Sequence, residues 1–148
     1  MLFGAETAYL FRHALLREAA YSLQAPSARA ALHRAALEVL EEMAGRSEES
    51  DSWAEELAYH ARAAQTQQSK DSTALHGREL HWLRRAAGFA TRTWANDAAL
   101  DAWQRMATHA NATAVDRVRA NTQIAEILMR TGAPARAEPP MNRAMADL

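Results

Sequence analysis

"LRRAAGFATRTWANDAALDAWQRMA", residues 83–107, decides the fold. Leu80 ahead of it, then Leu83, Ala87, Ala90 and Trp94 recur at three- and four-residue spacing; Ala99, Trp103, Met106 and Ala110 do the same after the break "AND" at 95–97. Each stripe is one face of an amphipathic helix. A connection this short forces two helices to lie antiparallel, and small residues at the contact positions let their backbones approach.

Outward from this hairpin, breaks fall at "QAPS" (24–27), "GRSEESDS" (45–52), "TQQSKDST" (66–73), "HANAT" (109–113) and "TGAP" (131–134). Helix-length segments lie between them. The segment opened by Pro26, a residue suited to a first turn because it lacks an N–H, carries Leu32, Ala36, Val39, Leu40 and Met43 as its expected buried face, and Gly45 closes it. Ser52-Trp53-Ala54-Glu55 has capping-box spacing, and Trp53, Leu57, His60 or Ala61, and Ala64 follow as a buried stripe. In the segment after Thr113, Val118, Ala125, Leu128 and Met129 mark one face and Ala120, Ile124 and Ile127 another, which predicts a helix held between two neighbours. Pro139-Pro140 interrupts the last segment; a helix starting late, near Pro140, with Met141, Ala144, Met145 and Leu148 on its apolar side, is the expectation.

Composition agrees with an all-α chain. Alanine makes up about a quarter of the 148 residues, while Val and Ile are scarce. A net charge of −1 supplies no general attraction for nucleic acid or acidic membranes. All but one of the 17 basic residues are Arg, a compositional bias before it is a recognition code. Cysteine is absent, which excludes disulfides and thiolate metal sites and fits a reducing compartment. No apolar run reaches the ~18 residues of a membrane span, and "MLFGAETAY" lacks a basic n-region. The expected location is the cytoplasm, with no membrane partner.

Segments 80–110 and 115–148 each read as helix, turn, helix with a period of about 34 residues, and "AEILMRTGAPARAE" (125–138) places Gly132 at a turn and Ala137 at a close helix contact. This half of the chain resembles the tetratricopeptide repeat. "YLFRHALLREAAYSLQAPSARAALHRAALEVLEE", from Tyr9, continued by "AEELAYHARAAQ", resembles the joint between the winged helix and the helical repeats of bacterial STAND-class signalling ATPases. The resemblance implies a winged-helix remnant and first helix over 1–23, a repeat domain over 24–148, and about seven helices in stacked antiparallel pairs forming a right-handed α-solenoid. It also implies a role for His13: in relatives among the apoptotic and plant-immune STAND ATPases, a histidine at the matching point touches the phosphate of bound ADP. The chain has no G-x-x-x-x-G-K-[ST] loop, so any ATPase activity would belong to a nucleotide-binding domain outside it. Packing at a helix start is the alternative for His13.

The remaining constellations point away from catalysis and cofactors. His33, His60, His76, His81 and His109, with Glu56 beside His60, include no H-E-x-x-H, and no metal is implied. Glu41-Glu42, Glu48-Glu49 and Glu55-Glu56 diverge around a helix and share no proton; the serines sit in polar loops. Trp53, Trp94 and Trp103 fall on core stripes. Trp82 lies off its stripe, and with Arg78, Arg85 and Arg92 it marks either a second packed face or a partner-binding surface. The expected function is non-catalytic: binding of a protein or peptide, or of the ATPase domain of a common parent, through a helical-repeat groove. The alternative is nucleic-acid binding through Arg78, Arg84, Arg85 and Arg92.

Overall fold

A computed structural model describes residues 15–16, 18–47, 50–65 and 72–148. Among these residues the chain is helical and contains no strand. Helical residues 18–22 precede α1 (Pro26–Ala44); a 3-10 turn (Ser50–Trp53) leads into α2 (Ala54–Ala63); α3 (Ser72–Arg92), α4 (Asn96–Ala107), α5 (Ala114–Arg130) and α6 (Pro134–Ala146) follow. The winged-helix expectation over 1–23 falls largely outside the described residues.

Each helix packs chiefly on the helices before and after it in the chain, and the 3-10 turn also rests on α3. α3 is central. Its Leu75, Trp82, Leu83 and Ala86 join Leu37 of α1 and Leu57, Ala58 and Ala61 of α2 in one apolar cluster. Its Leu80, Ala87 and Ala90 join Ala99, Ala102, Trp103 and Met106 of α4 and Ala120, Ile124 and Leu128 of α5 in another. Alanine lines the contacts between α3 and α4, as the sequence predicts. α5 is indeed held on two sides, by α4 and α6.

Four expectations need correction. Leu32, Val39 and Met43 of α1 are exposed, and Ala30, His33, Leu37 and Ala44 are buried instead. An alanine-rich helix offers two stripes of similar apolarity, so which one is buried depends on its neighbours. No side chain caps α2, whose N-cap is Trp53; the 3-10 turn displaces the Ser52–Glu55 arrangement, and Glu55 pairs with Arg105 of α4. A capping box is instead present at Thr113 and Asp116, opening α5. Pro139 and Pro140 lie inside α6, which starts at Pro134; Ala137, Pro140 and Ala144, all buried, keep one face packed through the interruption, whereas Met141, Met145 and Leu148, expected on the apolar side, are exposed.

Trp94 is the fourth. It is 67% exposed, with a φ of 60°. It stands just past the end of α3, where Ala95 N–H bonds Ala90 O at 2.9 Å and Trp94 N–H bonds Thr91 O at 3.3 Å, the hydrogen-bond pair of a Schellman turn. The left-handed backbone swings the indole out of the helix stripe.

Candidate interaction surface

The end of α5 repeats the end of α3. Thr131 Oγ1 donates to Ile127 O, Gly132 N–H to Met129 O and Ala133 N–H to Leu128 O. Thr93 Oγ1, Trp94 N–H and Ala95 N–H make the same three bonds to Phe89, Thr91 and Ala90. The paired strings are Arg92-Thr-Trp-Ala-Asn and Arg130-Thr-Gly-Ala-Pro, offset by 38 residues rather than the expected 34 or so. At the left-handed position the second turn has Gly132 (φ 80°) and the first has Trp94.

That difference has an energetic meaning. A side chain at positive φ costs about 1–2 kcal/mol that glycine avoids. The Trp94 ring recovers part of it: the Arg130 guanidinium lies 4.5 Å from its centroid and bonds Asn96 Oδ1 at 2.7 Å. An exposed cation–π contact contributes about 0.5–1 kcal/mol, and avoiding glycine's unfolded-state entropy contributes a similar amount. These contributions roughly cancel, so stability gives no reason for tryptophan here. Arg130 meets no carboxylate among the described residues. Thr93 and Ala95, which flank Trp94, line a mainly apolar cleft of about 210 Å³ with Phe89, Ala86, Ala98 and Ala102, to which Asp51, Ser52 and Glu55 also contribute; both carboxylates are already paired with arginines. The edge thus presents an aromatic ring, an uncompensated cation and an apolar recess together.

The residues singled out by sequence are elsewhere and otherwise engaged. Trp82 is buried, 6% exposed, and donates its indole N–H to Glu41 Oε1 at 2.7 Å. Arg78 holds the same carboxylate through Nε at 3.1 Å and Nη2 at 2.6 Å. Burial alone would raise the Glu41 pKa, but the bonds from Arg78 and Trp82 outweigh it and hold the group below its ordinary value. Arg85 and Arg92 converge on Asp51 of the 3-10 turn at 2.7 and 2.6 Å, and Arg85 also lies over the Trp82 ring. Hydrogen bonding from Arg85 is the largest cause of Asp51's lowered pKa. The structure therefore brings Arg78, Trp82 and Arg85 together as a clamp of α3 on α1 and the turn. The arginine stripe is paired internally, Arg84 included, which grips Asp116. His13 lies outside the described residues.

Sequence reading missed Trp94 and Arg130 because a tryptophan on stripe reads as core. The signal was available: aligning the two R-T-x-A strings puts Trp94 on the position of a turn glycine. Among the described residues no group of three or more His, Asp or Glu is placed to hold a metal, and no helix is long and apolar enough to cross a membrane. Compared with known proteins, the chain matches no family model, no curated protein and no solved structure.

Proposed function

We propose that this chain is a non-catalytic protein-interaction or sensor segment, of the kind that follows the winged helix in STAND-type signalling ATPases, and that it binds a protein or peptide through the Trp94–Arg130 edge. Helices that pack on their chain neighbours, with alanine at the contacts, support a tetratricopeptide-like stack. The observation that carries the binding surface is Trp94, exposed in a backbone conformation that glycine serves equally well one turn later. Tryptophan and arginine side by side are the commonest interface hot spots. Arg130, which meets no carboxylate among the described residues, favours a partner segment that presents one beside an apolar side chain.

The test compares partner capture by the unaltered chain with capture by Trp94→Gly and Arg130→Glu. The balance above predicts that Trp94→Gly keeps its stability within about 1 kcal/mol. Both variants are expected to lose one defined protein partner while remaining folded by circular dichroism. Retention of every partner by both folded variants would discard this surface.

A further inference from the structure

We infer that a small polar cavity between the ends of α2 and α4 and the first half of α3 binds a zwitterion, a molecule carrying one ammonium and one carboxylate, such as a free α-amino acid. The cavity encloses about 230 Å³ and is lined by Arg62, Gln65, His76, Glu79, Arg105 and His109, among others. It stands apart from the Trp94 edge, and its test is independent of the partner reading.

Glu79 is the first half of the case. It is 5% exposed, and a buried ionised carboxylate needs compensation. Gln65 Nε2 donates to its Oε2 at 2.7 Å, and His109 Nε2 stands 3.4 Å from the same oxygen. The backbone N–H of Asn111 donates to His109 Nδ1 at 3.1 Å, so that nitrogen carries a lone pair and the proton sits on Nε2, facing Glu79. Both contacts fall on Oε2, which leaves Oε1 without a hydrogen bond among the described residues. His76 adds a second acceptor. Its Nδ1 lies 2.6 Å from Ser72 O, a carbonyl that only accepts, so Nδ1 carries the proton and Nε2 of the neutral ring offers its lone pair. Among the described residues no full cation pairs with Glu79, and two acceptors in one recess suit an ammonium group.

Donors supply the other half. Arg105 Nε is buried and has no hydrogen-bond partner among the described residues, although its Nη1 reaches Glu55 and Asp101. Arg62, on the exposed side of α2, has no ion pair among the described residues and lines the same cavity. A carboxylate in the recess would lie beside both guanidinium groups and pair with Arg62. The volume of this open recess, equivalent to roughly seven or eight waters at about 30 Å³ each, matches a molecule of amino-acid size.

Isothermal titration of the whole chain with glycine, L-alanine, L-serine and L-glutamate, and separately with acetate and methylammonium, tests this. Saturable binding of at least one amino acid is expected, with neither half-molecule binding at the same concentration. Glu79→Gln and Arg62→Ala should each weaken binding about 10- to 100-fold, the worth of one charge-assisted hydrogen bond. Arg136→Ala, on α6, should leave it unchanged. Arg62 makes no contact on which the fold depends, so its variant remains informative even if Glu79→Gln unfolds. Acetate or methylammonium binding as tightly as the amino acids would overturn the zwitterion assignment, as would the absence of binding by all four amino acids.

Discussion

Arg84 grips Asp116 through two parallel hydrogen bonds, Nε to Oδ1 at 2.8 Å and Nη2 to Oδ2 at 2.6 Å, and so ties α3 to the start of α5. Asp116 also accepts the backbone N–H of Thr113 at 3.0 Å, while its own N–H donates to Thr113 Oγ1 at 3.1 Å. One carboxylate therefore closes a helix cap and fastens one helix to its second neighbour along the chain.

Asp116→Asn tests that double role. The Arg84 bonds are the largest cause holding the Asp116 pKa far below the carboxylate range, so its stabilisation is fully present above the ordinary value of 3.8. It is lost as pH falls from there toward the depressed folded value. The Arg84 side chain is 40% exposed and stays hydrated when released, so the cost at pH 7 belongs near the low end for a broken ion pair, about 2 kcal/mol. Urea denaturation should show that deficit at pH 7 and a smaller one at pH 3.

A second pH dependence lies between α1 and α2. His33 Nδ1 and His60 Nδ1 are 2.9 Å apart, and Tyr21 Oη lies 2.8 Å from His33 Nε2. Two facing ring nitrogens share one proton, so the contact excludes double protonation. Burial first, then the charges of His60 and Arg29, lower the His33 pKa; Tyr59 stacks edge-on and Glu56 faces the far nitrogen of His60. A depressed histidine stabilises the fold above 6.5, and that contribution is lost as pH drops below it toward the folded value. Melting temperature should fall between pH 7.5 and pH 5. In His60→Asn, whose amide oxygen replaces Nδ1 without a charge, the fall should shrink but persist, because burial remains. A drop that is unchanged in the variant would contradict the pairing.

The buried face of α1 is checked by substitutions at Leu37 and at two positions on its other face, Leu32 and Val39. Leu37 is fully buried, whereas Leu32 and Val39 are more than half exposed. Leu37→Ala should cost about 2–5 kcal/mol, and Leu32→Ala or Val39→Ala less than about 0.5. Chemical denaturation of the three variants would reverse the assignment if the order were inverted.

These outcomes mark where sequence sufficed. The α3–α4 and α5–α6 hairpins were legible because Trp103 and Met106, and Ile124 and Leu128, recur at helical spacing, and Gly132 announces its own turn, although the start of α6 was obscured by its two prolines. α1 was not, because Leu32 and Leu37 are equally apolar and only the arrival of α2 and α3 chooses between them. The engagement of the singled-out arginines was illegible for a related reason. Arg78 and Arg85 look free in one dimension, but their carboxylates, Glu41 and Asp51, lie more than thirty residues away in the chain. Conversely, the ring of Trp94 was displaced by one backbone angle that no apolar periodicity encodes.

Pro139 gives the last prediction. In α6 it removes the N–H that would reach Ala135 O, and Pro140 removes the next one, toward Arg136 O. The two prolines are not equivalent. Pro140 is buried with Ala137 and Ala144, so its ring contributes packing that alanine would surrender; Pro139 is exposed and contributes none. Pro139→Ala should therefore restore a hydrogen bond and gain helix propensity at no packing cost. Proline's interior penalty of about 3 kcal/mol is an upper bound, since the helix here already accommodates a neighbouring proline and proline restricts the unfolded chain. A gain of about 1 kcal/mol, or roughly 3 °C in melting temperature, is expected. Pro140→Ala should give a smaller gain or a loss. Should Pro139→Ala prove destabilising, a continuous α6 beginning at Pro134 would be ruled out, and the later helix start near Pro140 suggested by the sequence would stand in its place.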